Sequence, residues 1–259
     1  MSSAYSESCC TAKPVVEEGV YKERGSFTTI DGDRAYVSGG SSSTRGILFI
    51  YDVFGYTAQT LQGADILANS DLESIVVMPD LFGGEYMKKE WYAEKNEQNQ
   101  TQIKAFLSSK ASIETAVQRL LRKAGADAQE GGLLSSVKER YPSVTKWAVI
   151  GYCWGGKVAA LVSGTGTPFK VAVSTSPALL DPADAAKVVI PMAVLASKDD
   201  PADAVRAYGD ALKVEKHVET WSQSVHGWMS SRADLSDPQQ KREYQRGYKV
   251  AINFIQQHW

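Results

Sequence analysis

The amino-acid sequence predicts an α/β protein with a mainly parallel central sheet and helices on both faces. Several short segments are continuously apolar, as in strands buried on both faces of a sheet, and they alternate with segments whose apolar residues recur at helical spacing. The chain has 259 residues, of which 43% are hydrophobic and 22% charged, as in an ordinary globular protein. We therefore expect residues 20–259 to form a single domain after a flexible, Ser-rich tail at residues 1–19.

The first predicted strands form a β-hairpin. Asp31 and Gly32 lie between two β-rich segments, and this pair is a strong signal for a two-residue hairpin turn. Because helical segments separate the strands that follow, those strands are expected to be parallel. They are predicted, in chain order, within RGILFIYDVFG, SIVVMPDLFGG, KWAVIGY, KVAVSTSP, PMAVLASKD and HVETWS.

Helices are predicted between these strands. The longest is a single amphipathic helix in QIKAFLSSKASIETAVQRLLRKAG, with Gly125 as its C-cap. The segment GGLLSS around Gly131 is interpreted as a connector within the domain. The remaining helices are predicted in TLQGADILANS, GGKVAALVSG and ADAVRAYGDALK and over residues 238–257.

Charge and cysteine content exclude several classes of protein. The net charge is −2 and the isoelectric point about 6.0, so no broad basic surface favours nucleic acid or an anionic membrane. Cys9, Cys10 and Cys153 are too few for a disulfide framework, and we interpret the adjacent pair as solvated thiols without a fixed partner. The N-terminal residues lack the apolar core of a secretory signal. We expect a cytoplasmic protein, monomeric or homodimeric, that acts on a small molecule.

The segment GYCWGG, residues 151–156, carries the clearest chemical signal. It places Cys153 between a predicted strand and a predicted helix, with Gly151 and Gly155 two positions away on either side. This G-x-C-x-G pattern is the nucleophile elbow G-x-S-x-G with sulfur in place of oxygen. Small flanking residues allow the sharp turn, and the helix N-terminus favours a thiolate.

An acid and a base follow in the order that such a nucleophile requires. Asp199 and Asp200 end the predicted strand PMAVLASKD. Of the three histidines, His226 is the one in a loop after a predicted strand. Cys153, one of these two aspartates and His226 therefore form a candidate catalytic triad.

These segments resemble the dienelactone hydrolases. The resemblance extends from about Ser26 to the end of the chain and depends on YDVFG, PDLFGG, GYCWGG, SKDD and HGW in this order. It implies an α/β-hydrolase fold and a triad of Cys153, Asp199 and His226. Asp199 is favoured because the family's acid follows a small or polar pair directly after the strand, and Asp200 stays open as the alternative.

The resemblance also implies roles for residues around the triad. Asp52, where bacterial members usually have glutamate, corresponds to an acid that contacts the thiol and helps to form the thiolate. The backbone amides of Trp154 and Val53 are expected to bind the oxyanion. Arg232 is a candidate anion-binding residue, and the candidate aromatic residues of the substrate pocket are Phe54, Trp91 and Trp228.

The function predicted from these residues is cysteine-dependent hydrolysis of an ester or lactone, without a metal or cofactor. Two other interpretations remain. The fold could serve a non-catalytic binding protein in which the triad is misaligned, or Cys153 could be a redox thiol. The sequence supports the hydrolase through its complete set of nucleophile, acid and base.

Overall fold

The computed structural model describes residues 21–92, 96–121 and 132–259. The predicted tail, the Cys9 and Cys10 pair and the proposed cap at Gly125 lie outside the described residues. None of the helices in the described ranges combines the length and the apolar character needed to cross a bilayer.

A single eight-stranded sheet forms the centre of the molecule, in the order β1-β2-β4-β3-β5-β6-β7-β8. Strand β2 is antiparallel to β1 and to β4, and every pair from β4 to β8 is parallel. The predicted α/β fold with an N-terminal hairpin is confirmed. The strands are β1 (Ser26–Ile30), β2 (Asp33–Ser38), β3 (Arg45–Ile50), β4 (Ser74–Pro79), β5 (Lys146–Tyr152), β6 (Phe169–Thr175), β7 (Met192–Ser197) and β8 (Lys216–Trp221).

The hairpin turn lies where the sequence predicts it. Asp31 and Gly32 have φ values of 55° and 77°, and Ile30 pairs with Asp33 across the turn. Positive φ at both central residues is typical of the type I′ turn, whose twist matches that of the two strands.

The helices pack in groups on the sheet. Helix α1 contacts α8, whereas α5 contacts α3, α6 and the strands β3, β5 and β6. A short 3₁₀ turn covers Lys89–Tyr92. The helices are α1 (Ala58–Ala68), α2 (Glu97–Ser108), α3 (Ile113–Leu121), α4 (Leu133–Arg140), α5 (Trp154–Leu161), α6 (Pro182–Ala185), α7 (Ala202–Ala211) and α8 (Pro238–His258).

Two helix predictions were wrong. The long helix expected between β4 and β5 is interrupted between α2 and α3, and the segment interpreted as a connector begins α4. At the interruption, Ser109 donates from its hydroxyl to the carbonyl of Ala105 at 2.6 Å. The indole of Trp154 donates to the carbonyl of Ala111 at 2.8 Å. This tertiary hydrogen bond satisfies a carbonyl that would accept from a backbone amide in a continuous helix.

The strand order places the site. The chain moves from β3 to β4 on one side and later adds β5 to β8 on the other, so the order reverses between β3 and β5. Ligands of open α/β sheets bind beyond the carboxyl ends of the strands at such a point. Ile50 of β3 is paired with Gly151 of β5, so Asp52 and Cys153 emerge from neighbouring strand ends.

Candidate active site

Cys153 lies on a strained turn between β5 and α5. Its φ and ψ are 52° and −110°, in a region that residues with a side chain rarely adopt. A Cβ atom at Gly155 would lie 2.2 Å from the carbonyl oxygen of Ile50, and one at Gly151 would lie 2.0 Å from that of Gly155. The two glycines are thus required by the close approach of α5 to the ends of the strands, which confirms the turn expected from G-x-C-x-G.

This close approach predicts the effect of a single methyl group. Gly155→Ala should lower the free energy of unfolding by about 2–4 kcal/mol, because the new atom meets strand backbone that cannot move aside easily. Gly40→Ala is the matched control, since its Cβ would meet no atom within 4 Å, and it should change stability by less than about 0.5 kcal/mol. Urea unfolding measures both, and equal stability of the two variants would contradict the packing described for the turn.

The main chain of Cys153 is held on both sides. Its amide donates to the carbonyl of Thr175 at 2.9 Å, and its carbonyl accepts from the amides of Ala178 and Gly156, each at 3.0 Å. The side chain is buried, with 4% of the residue exposed. The thiol therefore occupies a fixed place at the N-terminus of α5, where the helix dipole stabilises negative charge.

The imidazole of His226 is bonded to Asp200. Nδ1 lies 2.8 Å from Asp200 Oδ1, and both side chains are almost wholly buried. Asp200 Oδ2 in turn accepts from the amide of Ser197 at 2.7 Å and from its hydroxyl at 2.9 Å. These bonds hold the carboxylate in place, so that it orients the ring.

Asp199, which the resemblance favoured as the acid, has a different position. Its Oδ2 accepts from the backbone amide of His226 at 2.9 Å. The geometry therefore assigns the ring contact to Asp200, the alternative left open from the sequence. The two residues are adjacent in the turn after β7, so their side chains leave the backbone in different directions, and the motif alone does not determine which one reaches the ring.

The pKa of His226 reflects its neighbours. Burial lowers this pKa, but the negative charge of Cys153 and the hydrogen bond to Asp200 outweigh burial and raise it to about 10. Cys153 acts on the ring both through the negative charge of its sulfur and through a side-chain hydrogen bond. The ring thus lies between the thiol and a carboxylate, with its charged form favoured.

The loop that carries His226 has a further support that the sequence did not reveal. The amide of Gly227 donates to Ser176 Oγ at 3.1 Å. Ser176 follows β6 and has a φ of 40°, which is unusual for serine. In the sequence, Ser176 is marked only by its place at the end of a predicted strand. That place does not predict a hydrogen bond to Gly227, 51 residues away.

A small cavity of about 10 Å³ lies beside the thiol, with room for about one water molecule. It contains the nucleophile and the base together with several of the predicted pocket residues. The lining residues are Asp52, Val53, Phe54, Cys153, His226, Gly227, Ser231 and Arg232.

Phe54 and Arg232 are the large side chains at this cavity. The guanidinium carbon of Arg232 lies 5.6 Å from the centre of the Phe54 ring, and Nη1 donates to the carbonyl of His226 at 3.4 Å. Both residues are buried, with 8% of Phe54 and 4% of Arg232 exposed. Both side chains line the cavity beside the thiol, and their roles in substrate binding stay predictions.

Trp228 and Trp91 are not among the described residues that line the cavity. Trp228 is buried and stacks on Trp221 with ring centres 4.8 Å apart. Trp91 packs edge-on against Phe106 at 6.3 Å. Their roles in substrate binding remain predictions, and the structure gives both of them packing contacts.

The predicted oxyanion amides belong to the two strand ends that meet at the thiol. Val53 lines the cavity, and its carbonyl accepts from the amide of Met87 at 2.9 Å, which fixes the peptide. Trp154 begins α5, and its indole is tied to Ala111. Both assignments stay predictions. Within the described ranges, no group of three or more His, Cys, Asp or Glu side chains is arranged to hold a metal ion.

Comparison with known proteins agrees with this geometry. Residues 34–259 match the model of the dienelactone hydrolase family. The chain belongs to this family of hydrolases. It is 32% identical to an uncharacterized AIM2 family protein of Schizosaccharomyces pombe over 226 residues, which is 85% of this chain and 86% of the relative.

The chain is also similar to one solved structure in fold and to one further relative in part of its sequence. A putative dienelactone hydrolase from Klebsiella pneumoniae has the same fold, with a TM-score of 0.65 and 16% identity over 90% of this chain and 98% of that one. An endo-1,3;1,4-beta-D-glucanase of Zea mays is 33% identical over 170 residues, which is 65% of this chain and 47% of the relative. The prediction of a dienelactone hydrolase relative with the α/β-hydrolase fold is confirmed.

Proposed function

We propose that this member of the dienelactone hydrolase family hydrolyses an ester or lactone through a covalent thioester on Cys153. The observation that carries the proposal is the position of the His226 ring between the Cys153 thiol and the Asp200 carboxylate. This is the arrangement in which an imidazole keeps a thiol ionised and is itself oriented by a third group. Asp200 takes the role that the sequence had favoured for Asp199.

The first step is attack of the Cys153 thiolate on the substrate carbonyl carbon. The carbon–sulfur bond forms, and the carbonyl oxygen becomes an oxyanion that the amides of Trp154 and Val53 bind. Collapse of this intermediate breaks the bond to the alkoxy or enol oxygen, which leaves with the proton of the His226 imidazolium. A lactone remains attached through its acyl end, and an ester loses its alcohol.

The second step is hydrolysis of the thioester. The negative charge of Cys153 is the largest of the causes that raise the pKa of His226, and that charge disappears when the sulfur is acylated. The ring then has a lower pKa and takes a proton from water, which attacks the thioester carbonyl. The acid product leaves, and the thiolate and imidazolium are restored.

The cavity limits the substrate. Its volume of about 10 Å³ is smaller than an ester, so side chains that line the cavity have to give way when substrate enters. Arg232 then offers a buried guanidinium to an anionic or strongly polar group of the substrate. Arg232 therefore favours substrates that carry a carboxylate. The thiolate is itself a good leaving group, so the tetrahedral intermediate forms the thioester only if the alkoxy or enol oxygen leaves at least as readily, as in activated esters and lactones.

Hydrolysis of p-nitrophenyl acetate before and after iodoacetamide tests the proposal. The assay uses the variant Cys9→Ser/Cys10→Ser, in which Cys153 is the remaining thiol of the chain. We expect turnover that alkylation of Cys153 abolishes, with one carbamidomethyl group per chain by mass spectrometry. Turnover that survives complete alkylation would exclude the cysteine mechanism. Absence of turnover with every activated ester and lactone of a panel would favour the binding protein.

A further inference from the structure

The carboxylate of Asp52 accepts hydrogen bonds from two serines, Ser230 and Ser231, that lie outside the motifs YDVFG and HGW. Asp52 Oδ2 accepts from the hydroxyls of Ser230 at 2.6 Å and Ser231 at 2.5 Å, and from the amide of Ser231 at 3.2 Å. Asp52 Oδ1 accepts from the amide of Phe54 at 2.9 Å. All three polar side chains are buried, with at most 2% of each residue exposed.

These bonds join two loops that are far apart in the sequence. Asp52 follows β3 and precedes Val53, whose amide is an expected oxyanion donor. Ser230 and Ser231 follow His226 and precede Arg232, and they lie 178 and 179 residues from Asp52. One carboxylate thus connects the loop of the oxyanion site to the loop of the base.

We propose that Ser230 and Ser231 are positioning residues, which act through Asp52 to hold the oxyanion loop against the loop of His226 and Arg232. The inference rests on the proposed function for its effect on turnover. It gives Asp52 a task other than the contact with the thiol that the family resemblance implies.

The hydrogen-bonding capacity of the carboxylate supports this task. Three of the four donors that engage Asp52 bond to Oδ2, which has two lone pairs, and the fourth bonds to Oδ1. Oδ2 would therefore have to release one of its donors before it could take a proton from Cys153. Bonds from hydroxyl groups to an ionised oxygen at 2.5–2.6 Å are short and strong, so their release is unfavourable.

Removal of both hydroxyls tests the proposal. Ser230→Ala/Ser231→Ala should lower kcat and kcat/KM for p-nitrophenyl acetate together, by about 10–100-fold, because a small displacement of the oxyanion donor affects the transition state. In an Asp52→Asn background the same two substitutions should lower kcat/KM by less than a further factor of about three, because the effects of residues that act through one another are not additive. Ser163→Ala is the control. Ser163 is a buried serine beyond the end of α5 whose hydroxyl donates to the carbonyl of Ala159, and its replacement should leave turnover unchanged.

Two readouts separate positioning from activation of the thiol. In the Cys9→Ser/Cys10→Ser background, the pH dependence of iodoacetamide alkylation of Cys153 should be the same with and without the two hydroxyls. Amide hydrogen exchange of residues 225–232 should become at least about tenfold faster without them. The second readout does not depend on turnover, so it tests the positioning even if the wild-type protein fails to hydrolyse any ester.

Three results would overturn the proposal. Turnover within twofold of the wild type would show that the hydroxyls position nothing of importance. Alkylation that shifts to higher pH by a unit or more would show that Asp52 and its serines act on the thiol. Unchanged hydrogen exchange in residues 225–232 would show that the loops are held by other contacts.

Discussion

Cys153→Ala should reduce the turnover of p-nitrophenyl acetate to the background rate, a loss of at least about 10⁵-fold in kcat. Among the described residues that line the cavity, Cys153 is the nucleophile coupled to the His226 ring, whereas the Ser231 hydroxyl is bonded to Asp52. The protein should remain folded, since removal of one buried sulfur atom costs about 1 kcal/mol.

The same variant should change the titration of His226. In the wild-type protein the charge of Cys153 holds the pKa of this ring at about 10, so the imidazolium persists from acid pH through neutrality. Without the sulfur, the pKa should fall towards its ordinary range, because burial still lowers it and the bond to Asp200 alone still raises it. The ring of the variant should then lose its proton at a lower pH than that of the wild type.

Proton NMR of the three histidines measures this difference, with the His226 signal assigned by its loss in His226→Gln. His217 provides the internal reference signal, because it pairs with Glu219 on the strand at the edge of the sheet. An unchanged titration of His226 in the variant would contradict the coupling between ring and thiol, and activity of the variant would contradict the nucleophile.

Asp200→Asn should lower kcat/KM by about 10²–10⁴-fold, whereas Asp199→Asn should lower it by less than about tenfold. Asparagine at position 200 keeps the shape of the side chain but removes the charge that orients and stabilises the imidazolium. At position 199 an amide oxygen can still accept from the backbone amide of His226.

The pair of variants is matched, because each replaces one carboxylate by one amide in the same turn. Steady-state kinetics with p-nitrophenyl acetate measures both, and thermal unfolding checks that each variant is folded. A larger loss from Asp199→Asn than from Asp200→Asn would restore the assignment that the family resemblance favoured.

The features that the sequence predicts correctly are local or depend on the order of elements. The turn at Cys153 follows from two glycines, and the hairpin turn follows from Asp31 and Gly32. The strand-end position of His226 follows from the alternation of strands and helices. In each case the information lies within a few neighbouring residues or in the order of segments along the chain.

The features that it misses depend on contacts between distant segments. Between α2 and α3, the carbonyl of Ala111 accepts a hydrogen bond from the indole of Trp154. Which aspartate contacts the His226 ring depends on side-chain directions in one turn. The bonds of Ser230 and Ser231 to Asp52 span almost the whole domain. Periodicity and motif spacing carry no information about such pairs, because the tertiary fold brings them together.

Detection of an acyl group on Cys153 is the most direct test of the account. The Cys9→Ser/Cys10→Ser protein is mixed with p-nitrophenyl acetate, quenched in acid within milliseconds and digested for mass spectrometry. The account predicts an acetyl group on the peptide that contains Cys153, formed with the burst of p-nitrophenol and lost as the substrate is consumed. A protein that turns over the ester while this peptide remains unmodified at every quench time would contradict it.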